Sequence, residues 1–103
     1  MSKSEERTFT ISGNAFQFAD KHLHDRLQGI RHQLLKGRIP AEEAKRLGAE
    51  AFEAWGREGS ELMDREAGRQ GFEKSPIDLF PEKRISDNIE KWNRGVDVCA
   101  SLT

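Results

Sequence analysis

Three stretches of this chain set apolar residues three, four or seven positions apart, and two breaks containing glycine and proline separate them. The first stretch is Phe16, Ala19, Leu23, Leu27, Ile30 and Leu34. The second is Ala44, Leu47, Ala51, Trp55 and Leu62, with Phe52 and Met63 at its edge. The third, Ile85, Ile89, Trp92, Val96 and Cys99, repeats at four, three, four and three. At 3.6 residues per turn these spacings gather each set on one helix face, and an apolar face must be covered by another. Three helices packed stripe against stripe are the consequence.

The punctuation agrees with this division. Asn14, after Gly13, can cap a first helix over residues 15–36, and Gly37 suits the left-handed position that closes it. Pro40 fits the first turn of a second helix reaching Arg69, with Glu42 and Glu43 at the positive end of its dipole. A third helix begins near Pro81-Glu82. Between the last two, residues 70–81 form a connector whose Phe72, Ile77, Leu79 and Phe80 should fold back over the core, with one helical turn after Ser75-Pro76. The chain has 103 residues, two Trp and six Phe, enough for a single core.

The expected fold is therefore all-α: a small three-helix bundle in one domain, 1–103, with residues 1–6 loose and a short extended segment at 7–12, where Phe9 and Ile11 alternate with Thr. The alternative is α+β. Asn93-Arg94-Gly95 could end the third helix, leaving "VDVCASL" to pair with "TFTIS" as one terminal ribbon. Isolated two-stranded ribbons are marginal, so the continuous helix is the expectation. Helix 2 contains Gly48, Gly56, Gly59 and Gly68, each costing about 1 kcal/mol relative to Ala. Gly48 and Gly59 flank Trp55 and could leave room for its indole. Ala49, Gly56, Ser60 and Ala67 make a second track that could take another helix or a second copy of the chain, or be an exposed surface of short side chains, and a kink or break near Gly56 to Gly59 is an alternative.

The stretch "EEAKRLG" resembles the helix-turn-helix families through Ala44, Leu47 and Gly48, which would imply DNA reading by an element at 39–57 with Arg38, Lys45 and Arg46 on phosphates. The resemblance covers about ten residues. Beyond Gly48 the chain continues "AEAFEAWGRE", where Ala49 and Ala51 favour unbroken helix and Glu50 and Glu53 carry the wrong sign for phosphate. The formal net charge is −1, against nucleic-acid binding by bulk electrostatics, although residues 1–48 are net +3 and the remainder −4.

Catalytic and metal-binding patterns are not evident. His22 and His24 point about 200° apart on a helix, and His24 and His32 lie about 12 Å apart along it, so neither pair chelates one ion. Cys99 sits on the core seam and reads as a packing residue. Carboxylates and arginines on helix 2 interleave as a solvated ion-pair face. No run approaches the ~20 apolar residues of a membrane span, and "MSKSEER" lacks the apolar centre of a secretory signal, so a cytoplasmic setting is expected.

The resulting expectation is a non-enzymatic helical module without cofactor or metal, acting as adaptor, regulator or inhibitor by binding another protein. Self-association is a related expectation, and nucleic-acid binding is the second choice. The candidate contacts are Phe18, which falls about 200° from Phe16 and so leaves the core stripe, and the basic end of helix 1 with its turn, Arg31, Lys36 and Arg38.

Overall fold

A computed structural model describes residues 14–101, with side chains from Phe16 onward. The extended segment expected at 7–12 and the loose residues 1–6 lie outside the described residues. The rest is all-α, with α1 (Asn14–Leu35), α2 (Ala41–Arg69) and α3 (Glu82–Ser101). α3 runs without a break through Gly95 to Ser101, so residues 96–101 of "VDVCASL" are helix and the terminal ribbon does not form.

The helix ends follow from local chemistry. Gly37 adopts φ +71°, its N–H bonds to the Leu34 carbonyl, and Arg38 N–H bonds to that of Gln33. Gly71, at φ +87°, ends α2 the same way: its N–H bonds to Gly68 O, and Phe72 N–H bonds to Ala67 O. Both are the paired arrangement that satisfies the last carbonyls of a helix and that glycine enters without a Cβ penalty. Pro40 stands one position earlier than expected. It is the extended capping residue, and its carbonyl accepts the first helical bond from Ala44 N–H at 3.1 Å.

α1 and α3 both run antiparallel to α2, pack mainly on it and touch each other lightly. Each tryptophan fastens one of them. Trp55 Nε1 on α2 donates to Asp20 Oδ1 on α1 at 2.9 Å. Trp92 Nε1 on α3 donates to the Ala44 carbonyl of α2 at 2.9 Å, inside the core. Around them lie Phe16, Phe52, Met63, Phe80 and Val96. Fully burying side chains of this size contributes about 1.5–3 kcal/mol each.

Three of the four glycines of α2 serve neighbouring elements rather than Trp55, while Gly68 faces open space. A Cβ at Gly48 would fall inside the Trp92 indole, one at Gly56 would meet the tip of Ile85, and one at Gly59 would fall in the Phe80 ring. They are notches for α3 and the connector, and α2 passes through all of them as one unbroken helix. The small-residue track is only partly taken up: Gly56 and Ala67 are buried within the chain, Ala49 is half-buried and Ser60 is exposed.

Of the connector, only Phe80 enters the core, where its ring centroid lies 4.9 Å from that of Trp55 and 5.7 Å from that of Phe16. Ile77 and Leu79 are exposed. No helical turn follows Ser75-Pro76. Instead, side chains substitute for backbone partners: Ser75 Oγ accepts Ile77 N–H at 3.3 Å, and Asp78 Oδ1 accepts Phe80 N–H at 3.0 Å. Such local bonds compete with a helix and set a turn. Arg84 closes the segment, lying over the Trp55 and Phe80 rings and donating to the Leu79 carbonyl.

Two glycine substitutions should therefore have opposite signs. Gly48→Ala is expected to lower stability by about 1–3 kcal/mol through overpacking against a ring that cannot move without losing its hydrogen bond. Gly29 has no atom within 4 Å of an added Cβ. Gly29→Ala should raise stability by up to about 1 kcal/mol. Urea denaturation followed by circular dichroism measures both.

Candidate functional site

Because α1 and α3 are each fastened to α2 and only lightly to each other, a cleft of about 340 Å³ opens between them. Its base is Phe52 of α2 with Trp92 and Val96 of α3, and Leu27 and Leu34 of α1 form the facing wall. Gly95 leaves a gap in the α3 wall, with nothing within 4 Å of where its Cβ would stand. Cys99, expected on the core seam, is half-buried at the same wall.

The rim is basic. Arg31 from α1 and Lys91 from α3 line the cleft, Asn88 supplies a neutral polar group, and among the described residues no carboxylate lines it. The Arg31 guanidinium lies 5.7 Å from the centroid of Trp92, an attraction to the ring face that leaves its charge without a counter-ion. Among the described residues neither Arg31 nor Lys91 forms an ion pair, whereas the neighbouring Lys83 and Arg94 on α3 pair with Asp87 and Glu90. One turn beyond Arg31 on the same face, Leu35 is 52% exposed, and two turns beyond Lys91, Val98 is 59% exposed. The end of the bundle thus joins an unfilled apolar cleft, two exposed aliphatic side chains and two uncompensated cations.

A larger groove of about 710 Å³ lies on the outer side of α2 and α3, but only one wall is apolar, from Phe80, Ile85 and Ile89. The other presents Glu53, Arg57, Ser60 and Glu61, whose mixed charges favour water. A smaller hollow lies beside Phe18, Ala19 and Leu62.

Phe18 is 69% exposed, and its ring lies 4.2 Å from that of His22. It does not share a site with the basic end of α1. Thirteen residues separate Phe18 from Arg31, about 20 Å at 1.5 Å per residue. Lys36 and Arg38 are exposed on the turn after α1. The residue that joins Arg31 is Lys91, which sequence reasoning passed over; its one signal was its place beside Trp92 at the edge of the α3 seam.

The helix-turn-helix geometry implied by "EEAKRLG" is not formed, since α2 runs unbroken through Gly48. The cations there are already engaged. Arg46 bonds Glu43 at 2.6 Å and Glu50 at 2.7 Å, and the hydrogen bond from Arg46 holds the Glu43 carboxyl below its ordinary pKa. Lys45 reaches across to Asp97 on α3 at 2.7 Å, and that bond raises its pKa. His22 lies 3.8 Å from Glu58, and His24 contacts Gln28 at 3.2 Å. Among the described residues no group of three or more His, Cys, Asp or Glu is placed to hold a metal ion, and no helix is long and apolar enough to cross a membrane.

No protein-family model, no curated protein and no solved structure matches the chain.

The Lys45–Asp97 pair gives a prediction with a definite sign. Because the folded pKa of Lys45 is raised above 10.5, its contribution is fully present below pH 10.5 and is lost as pH rises through the folded value. Both groups are solvent-accessible, so the effect is small. Asp97→Asn should flatten the alkaline limb of stability against pH and leave the neutral fold intact, as measured by urea midpoints on either side of pH 10.5.

Proposed function

We propose that the protein is a non-enzymatic binding module that works in the cytoplasm as adaptor, regulator or inhibitor of another protein. The observation that supports this most is the apolar cleft between α1 and α3, lined by two cations that have no counter-ion among the described residues, with exposed Leu35 and Val98 further along the same two helices. Interfaces draw their energy from such combinations: a desolvated apolar centre supplies affinity, and charges at its rim set partner choice and encounter rate. Arg31 belongs to this surface directly, Lys36 and Arg38 extend its basic character along the turn, and Phe18 offers a separate contact about 20 Å away.

A photo-crosslinking side chain placed at Leu35 or at Val98 in the protein's own cell is expected to trap a discrete protein partner, while the same group at Ile77, an exposed aliphatic position on the connector, is not. Adducts at neither cleft position, or adducts with nucleic acid instead of protein, would overturn the proposal. Light scattering on the purified protein checks self-association separately.

A further inference from the structure

We infer that the α1/α3 cleft receives one acidic, amphipathic helix, which docks as a fourth helix of the bundle. The inference rests on the protein-binding reading and names the chemistry of the partner. Geometry sets the secondary structure of the guest. From Asn88 to Cys99 the α3 wall extends about 16 Å, three turns of a helix. Along it Trp92, Val96 and Cys99 repeat at i, i+4 and i+7, and opposite them Leu27 and Leu34 stand seven residues apart. These are the positions at which helix side chains interlock.

An extended peptide is a poorer guest. Both walls are helices whose backbone groups bond within their own turns, so a strand in the cleft would bury N–H and C=O groups without partners, whereas a helix satisfies its own. The volume, about 340 Å³, suits a few aliphatic side chains and lies near the lower limit of about 300–1,000 Å³ usual for enclosed ligands. Charge selects the guest's flanks. With Arg31 on one rim, Lys91 on the other and, among the described residues, no carboxylate lining the cleft, Glu or Asp on both edges of the guest stripe supplies these two cations with counter-ions. Leu35 and Val98 extend the contact at the end of the cleft.

The test uses two synthetic helical peptides with the same leucine stripe, one flanked by Glu and the other by Lys, titrated into the full chain and followed by amide NMR shifts at residues 27–35 and 88–99. The Glu-flanked peptide should bind roughly tenfold or more tightly than the Lys-flanked one, and the difference should shrink with salt. Arg31→Glu combined with Lys91→Glu should reverse the preference; both positions are exposed, so the fold is retained. Gly95→Phe, whose Cβ enters open space, should abolish binding of both peptides while circular dichroism stays helical.

Equal binding of the two peptides, or binding untouched by both variants, overturns the inference. So does saturable binding of dodecanoate at these same residues with neither peptide competing, because the occupant is then a small anionic amphiphile. Proteins trapped at Leu35 and Val98 alongside failure of the acidic peptide would refute the acidic helix and leave the protein-binding reading standing. Absence of any trapped protein would refute that reading.

Discussion

The bundle depends on one contact in which a ring meets a backbone. The indole of Trp92 enters α2 where Gly48 has no side chain and donates to the carbonyl of Ala44. A helical carbonyl retains a second lone pair after accepting its i+4 partner, so the indole N–H is satisfied without breaking a turn of α2. A buried tryptophan whose N–H found no acceptor would cost on the order of 1–3 kcal/mol, so the notch and the bond belong to one device. Gly48 weakens the helix locally and strengthens the packing of the two helices.

That device fixes the position of α3 and, indirectly, the shape of the surface. With α3 held to α2 by Trp92 and by Lys45–Asp97, and α1 held to α2 by Trp55–Asp20, the two outer helices meet each other only at the edges of their stripes. The apolar residues on the α1 edge, Leu27 and Leu34, are only partly buried and face the cleft above its base of Phe52, Trp92 and Val96. The cleft is thus a product of where the tryptophans anchor. Arg31 lies against Trp92, so the same ring that locks α3 also positions one cation at the cleft rim.

The candidate site was partly legible in the sequence. Arg31, Lys36 and Arg38 stood out as a basic end to α1, and that end does border the cleft. Lys91 did not stand out, because a lysine next to a tryptophan on a helix is ordinary until another helix brings a second cation opposite it. Phe18 was noted for leaving the core stripe, and it is exposed, but its distance from Arg31 follows from simple helical rise and separates it from the cleft. The ten residues resembling a helix-turn-helix misled for a physical reason: Ala44, Leu47 and Gly48 suit a sharp turn between helices and equally suit a continuous helix notched for an indole.

By itself the sequence determined the three helices, their order and most of their ends, since apolar spacing, glycine at a left-handed cap and proline at a helix start act within a few residues. It also determined which residues could form the core. Only the tertiary structure decided what the glycines of α2 accommodate, that Phe80 alone of the connector's apolar residues is buried, and that Arg31 and Lys91 face one cleft. Those outcomes depend on how far one helix slides and rotates on another. Side-chain volumes from distant segments set that register, and no local pattern encodes it.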